Sequence, residues 1–230
     1  MSDYSHAYNR CRAFINSNFV ESPKAEVQQP VALTISRQVF SCSHAIAEIL
    51  IELLNKDEVL GFRKWALFDR DLVHKILQDH NLPKRLAQYM PEDREKTFTS
   101  TINEILGVHP SMWDLFHFTC DTIHKLARVG NTILIGRGAH IVTRGMPHVL
   151  RVRIIAPREM RIERAAKMLG ISHAEASRKI SQDDHARGAY VRCHFDESID
   201  DPAAYDMVLN TETIDEESAA LILYQALVAL

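Results

Sequence analysis

Two hydrophobic periods meet in residues 31–54. Val31 to Ile35 is a short apolar run of strand type, whereas from Ala45 to Leu54 the apolar residues recur at helical spacing. Between them lies a tight polar turn, Ser36 to His44. A strand that passes through such a turn into a helix sets up an anion site, because the helix start aims unpaired N–H groups outward. The turn holds no glycine and no lysine. The pattern therefore predicts where a phosphate would sit and leaves open whether the loop still holds one.

The rest of the chain repeats the alternation. Trp65–Phe68 reads as a second strand, with Asp69 as the cap of a helix over Arg70–Asp79 rather than a metal ligand. Residues 83–129 read as helical in two or three pieces, broken at Pro91 and at Gly107 to Pro110, and closed by Gly130 and Asn131. Thr132–Ile135 is a buried-type strand ending at Gly136-Arg137-Gly138, and Val149–Ile155 is the next. Pro157 opens an arginine-rich helix whose Arg158, Arg161 and Arg164 are expected on a solvated face with Glu159 and Glu163, with room for one of them to point into a site. Gly170 ends that helix. Ser172 and Glu175 form a capping-box start for another, running towards Arg187. Asp206–Asn210 is a last strand, and Asp215 caps a final helix to about Ala229.

Strands alternating with helices predict an α/β fold, a doubly wound parallel sheet with ligands at the carboxyl ends of its strands. Residues 1–29 read as an N-terminal extension and linker ahead of one α/β domain over 30–230. Tyr8, Cys11, Phe14, Ile15 and Phe19 give the extension one apolar face, which either docks on the domain or a second subunit or leaves a free arm. A homodimer through this extension or through the helical insertion is the corresponding partner expectation.

Composition narrows the function classes. A net charge of −3 gives no bulk argument for a nucleic-acid partner. No apolar run approaches the roughly 20 residues that span a bilayer, and the first residues lack a secretory apolar core, so no membrane partner is expected and the cytoplasm is the default. Cys11, Cys42, Cys120 and Cys193 are scattered, without the pairing of a zinc ribbon or a disulfide framework. His117, Cys120 and His124 share a helical face, but three ligands on one helix rarely complete a tetrahedral site, so no metal set is assigned. Asp183-Asp184-His185 reads as a polar helix surface, and Cys193-His194 has no third partner that would make a nucleophile.

Three polar clusters carry the candidate chemistry: Ser36 to His44, Gly136 to Gly138, and Asp183 to Arg192. The first two must share one sheet edge. Arg37, Arg137 and Arg187 converging there, with Arg192 as a fourth candidate, would suit phosphate, whose oxygens match the guanidinium fork. Arg37 and Arg137 also have a structural alternative, as ion pairs at strand ends.

With these residues in place, the sequence resembles the cytidylate kinase-like family, relatives of bacterial cytidylate kinase among the P-loop nucleoside-monophosphate kinases. The resemblance rests on Thr34-Ile-Ser-Arg-Gln38, on Gly130 through Ala139, and on Val152 through Pro157 with Arg161 and Arg164. Asp201-Pro202, Tyr205-Asp206 and Val208 through Thr211 extend it. It implies a core sheet, a helical insertion over about 69–129 and a lid over about 172–195. It also implies phosphoryl transfer from ATP, with Mg2+, to a nucleoside monophosphate or a similar small phosphorylated or nucleoside acceptor. By position, Ser36, Arg37, Gln38, Ser41, Ser43, His44 and Ala45 would wrap the donor phosphates. Arg137 would sit beside the acceptor phosphate, and Asp184 and Arg187 would form the lid pair whose arginine faces the transferred group.

The departures are equally specific. Phe40, Cys42 and Ser43 stand where the family places glycines, and His44 where it places a basic residue. A left-handed turn at Phe40 costs roughly 1 kcal/mol or more. Gly138 replaces a base-reading aspartate, and Ile180 and Asp183 replace lid arginines. The alternative to a working kinase is therefore a catalytically impaired pseudokinase, a nucleotide- or anion-binding or regulatory protein.

Overall fold

The computed structural model describes residues 30–57, 60, 64–69 and 112–230. The expectations for residues 1–29, for a helix over Arg70–Asp79 and for helical pieces up to residue 111 lie outside the described residues.

Among the described residues five strands pair in parallel: β1 (Ala32–Arg37), β2 (Ala66–Phe68), β3 (Thr132–Ile135), β4 (Val149–Ile155) and β5 (Met207–Asn210). Their order across the sheet is β2-β3-β1-β4-β5. Register places Ala32 opposite both Thr132 and Val149, so β1 is central and flanked on both sides. Its sequence explains that position. Ala32, Leu33, Thr34 and Ile35 are all buried, as a strand covered on both faces requires.

Successive side chains feed opposite layers. Leu33, Ile35, Ile133 and Ile135 pack with helices α1 (Ser43–Lys56) and α6 (Glu216–Val228), whereas Ala32, Phe68 and Leu134 pack with α2 (Met112–Val129). In α1, Ile46, Leu50 and Leu54 are buried at a spacing of four and meet Ala219, Ala220, Leu223 and Leu227 of α6. Truncating the fully buried Leu50 to alanine would cost about 2–5 kcal/mol.

A one-turn helix, α3 (Ala139–Val142), follows β3 and is too short to show in the sequence pattern. Helices α4 (Arg158–Leu169) and α5 (His173–Phe195) join at Gly170, and the expected capping box forms between Ser172 and Glu175. Helix α5 continues through Gly188 to Phe195, well past Arg187, and so spans the expected lid as one rod. Asp215 caps α6 by accepting from Ser218 N–H, as expected. No described helix is long and apolar enough to cross a membrane.

The arginine helix departs from its solvated expectation. Arg161 is buried. Its guanidinium donates to Asp184 of α5, to Ala156 O and to Val39 O. Arg158, exposed like Glu159 and Glu163, reaches Ser177 and Ser181 on α5, so α4 keeps a wet face while Arg161 ties it to α5 and to the β1–α1 loop.

Candidate functional site

The three clusters do meet, but they divide into two regions with different chemistry. One is the loop from Gln38 to Cys42. The other is a cavity of ≈ 340 Å³ at the carboxyl ends of β1 and β3, lined among others by Ser36, Arg37, Arg137, Asp183, Arg187 and Tyr190.

The loop takes left-handed turns at two of the positions where the resemblance places glycines. Phe40 (φ 58°) and Cys42 (φ 60°) both adopt the left-handed region, and Cys42 sits at the start of α1, which has no side-chain cap. Each such residue stores roughly 1–2 kcal/mol. Phe40 offsets its share by packing against Ile162, Ala165, Ala176 and Ile180 between α4 and α5.

Several of the loop's polar groups are paired inside the protein. Val39 N–H donates to Asp184 Oδ1 at 2.9 Å, Ser41 Oγ donates to Gln38 O, and Gln38 Oε1 accepts from Ala156 N–H. Asp184, the acidic member of the expected lid pair, is not among the residues that line the cavity. It bridges Val39 to the buried Arg161. Gln38, Ser41, Ser43, His44 and Ala45 also lie outside the cavity lining. His44 Nε2 approaches Asp69 Oδ2 at 3.7 Å, but burial outweighs that carboxylate and lowers the imidazole's pKa below its ordinary value. At neutral pH the ring is uncharged and does not replace a lysine.

The cavity gathers charge instead. Arg37 ends β1, Arg137 follows β3 and Arg187 comes from α5. Burial, followed by repulsion from Arg187 and Arg137 and opposed by Asp69, pulls the Arg37 guanidinium down to about 10. It remains fully charged at pH 7. The lining carboxylate, Asp183, lies 3.3 Å from Lys179. Three guanidinium groups held this close lower their mutual repulsion when an anion enters.

Local backbone geometry makes the convergence feasible. Gly136, Arg137 and Gly138 have consecutive positive φ values of 82°, 58° and 71°. A methyl group on Gly136 would lie 2.2 Å from Arg37 Nη1, so only glycine lets that guanidinium cross the backbone. A side chain on Gly138 would meet the Phe195 ring at 2.3 Å. The missing base-reading aspartate thus has a physical reason: an aromatic ring fills its place. Phe195 belongs to a group in which Phe116 stacks on His194 at 4.4 Å and Tyr190 tilts against His194 at 4.5 Å. The Arg137 guanidinium lies 5.1 Å from the Tyr190 ring centre.

Ser36, placed in the donor loop by the sequence, lines the same cavity. Asp183 and Tyr190 fall within the third cluster, but the sequence singles out neither for a role at the site. The available signal was the spacing of Asp183, Arg187 and Tyr190 along one helix, which sets them on a common face. Among the described residues no three His, Cys, Asp or Glu side chains form a metal-binding group.

Comparison with known proteins agrees with the architecture. The profile of the cytidylate kinase-like family matches residues 32–213. An uncharacterized protein from Eubacterium ventriosum ATCC 27560 superposes with a TM-score of 0.65 at 16% identity, covering 88% of this chain and 100% of that one. TT1252 from Thermus thermophilus superposes more loosely, with a TM-score of 0.43 at 14% identity over 86% and 98% of the two chains. No curated protein matches.

Proposed function

Because the chain belongs to the cytidylate kinase-like family, we propose that its arginine cavity binds the phosphate of a small acceptor, a nucleoside monophosphate or similar molecule, as the acceptor half of an ATP-dependent phosphotransferase site. The observation that carries this reading is the convergence of Arg37, Arg137 and Arg187 on one cavity beside the β1–α1 loop. Guanidinium forks present paired donors to phosphate oxygens and hold the group in a fixed orientation. Phosphoryl transfer depends on such positioning and charge neutralisation.

ATP, with Mg2+, would supply the phosphoryl group and offset its charge. The fit of the donor loop is partial. Its backbone turns and the uncapped start of α1 suit a phosphate, but Val39 N–H is occupied by Asp184 and the loop has neither lysine nor charged His44. The chain's own part is therefore confined to the cavity. Arg37 and Arg137 would hold the acceptor phosphate, and Arg187, on the α5 rod, would close over it.

The Val39–Asp184 hydrogen bond favours a second reading, binding of a phosphorylated molecule without turnover. A coupled assay with ATP, magnesium and a panel of monophosphates separates the two. Turnover of any acceptor establishes the first. Calorimetric binding without turnover selects the second. Absence of both phosphate binding and turnover removes both.

A further inference from the structure

Beneath the arginines lies a buried polar chain that neither reading uses. Ser36 Oγ, on the cavity wall, accepts from Arg153 Nη1 at 2.9 Å and lies 3.1 Å from Tyr205 Oη. Arg153 is itself buried, and its other terminal nitrogen is paired with Asp200. Tyr205 Oη also touches Ile199 O at 2.7 Å and His140 Nε2 at 3.2 Å.

Counting protons gives this chain a direction. A carbonyl only accepts, so Ile199 O takes the single phenol proton across the shortest of the three contacts. Towards Ser36 and His140 the Tyr205 oxygen is then an acceptor. His140, kept neutral because burial and the nearby Arg153 pull it down to about 4, fills one lone pair with Nε2–H. The other is shared by the Ser36 hydroxyl and Arg153, which also hydrogen-bonds Tyr205, so the serine's hold there is weak enough to give up. Arg153 can only donate, so the serine proton has two uses: it rests on Tyr205 or it turns into the cavity. Donation from a guanidinium into the serine oxygen polarises the O–H and makes it a stronger donor.

We propose that Ser36 is a turning donor for the bound anion, its hydroxyl resting on Tyr205 in the free protein and rotating onto a phosphate oxygen held by Arg37, Arg137 and Arg187, with Arg153 as the positioning residue behind it. The inference rests on the reading of the cavity as a phosphate site. It assigns Ser36 to the acceptor cavity, not to the donor loop. It also makes Tyr205 a competitor for the serine proton, which sets the sign of its substitution.

The test is titration of the full-length protein with inorganic phosphate, followed by calorimetry or by 31P line width, with thermal melts on each variant. Ser36→Ala should weaken phosphate binding about tenfold, the worth of one hydrogen bond to a charged partner less the neutral bond it replaces. Tyr205→Phe should tighten binding by about two- to fivefold, since it removes the resting acceptor, and should have no effect on affinity in a Ser36→Ala background. If Ser36→Ala binds phosphate like the parent while Arg187→Ala does not, the cavity reading stands and the turning donor is overturned. If Tyr205→Phe weakens binding, or acts equally with and without Ser36, Tyr205 is a scaffold only and the competition is overturned. A parent protein that binds no phosphate overturns the cavity reading and the inference together.

Discussion

The β1–α1 loop and the arginine cavity lie side by side, yet they have parted in opposite ways. In the loop the backbone persists and the chemistry has gone inward. Phe40 and Cys42 hold left-handed turns against their side chains, while Val39 N–H, Gln38 and Ser41 satisfy one another and Asp184. In the cavity the backbone makes room for charge, with Gly136 cleared for Arg37 and the Arg37 guanidinium held within repulsive reach of Arg187 and Arg137. Internal satisfaction is what a structural element needs. Like charge gathered on a cavity wall, with a pKa pulled from its ordinary value, is the arrangement that functional sites favour.

The sharpest way to break this contrast is to treat Asp184 as the site residue it was expected to be. Asp184→Ala leaves the buried Arg161 guanidinium without its carboxylate. Breaking a buried pair from one side costs about 3–5 kcal/mol, here nearer 3 because Asp184 is partly exposed. Denaturant melts should show that loss, with phosphate affinity kept at temperatures where the variant is folded. Loss of affinity at unchanged stability would return Asp184 to the site and erase the division.

Acidification probes the floor of the cavity. His140 holds its proton only near pH 4, far below its ordinary 6.5, because burial and Arg153 disfavour the imidazolium. The unfolded chain therefore takes up this proton first as pH falls. The stability it represents is complete above about pH 6.5 and is lost progressively towards pH 4, to a total of about 3 kcal/mol. Melting across this range should show the slope, and His140→Gln should flatten it. An unchanged slope would mean that His140 does not sit as a neutral donor to Tyr205.

Arg187→Ala sharpens the comparison from the other side. A charge-assisted contact to phosphate is worth about 1.5–3 kcal/mol, so affinity should fall roughly 10- to 100-fold while stability changes little. Gly136→Ala should give a similar fall, by displacing Arg37 rather than removing it. Equal affinity in either variant would place the anion elsewhere.

The sequence showed the architecture more fully than the site, for a physical reason. Strand and helix periods are local, so β1, β3, β4, the capping box at Ser172 and the cap at Asp215 could be read from neighbouring residues alone. The meeting of Arg37 and Arg137 followed from the strand-end rule, which is local once the fold class is known, whereas Arg187 comes from α5 and no strand end places it. Asp184 and Asp183 could not be told apart that way. They are adjacent on α5, so a turn of about 100° between them decides which faces the cavity and which faces Val39. That turn is set by the packing of Ile180 and Ala176 on α4, and thus by contacts distant in sequence. Arg161 was misplaced for the same cause. Its glutamate neighbours suggested a wet face, while its actual partners lie 5, 23 and 122 positions away.

The smallest effect bears on whether the loop is a relic. Cys42 holds φ 60° at the head of α1, and its thiol is pushed up to about 11 by burial and by a hydrogen bond with Glu216. Glycine there would shed roughly 1–2 kcal/mol of left-handed strain and give back part of it through the greater freedom of the unfolded chain and the lost thiol contact. Cys42→Gly should therefore be neutral to stabilising by about 0.5 kcal/mol, measured as a small rise in the denaturation midpoint. The loop would be cheaper with the glycine, so its absence is not a demand of the fold. A clear loss of stability would show that the Cys42–Glu216 contact anchors α6 to the loop. That would make the loop a structural clasp in its own right, and its contrast with the cavity one of present use rather than of ancestry.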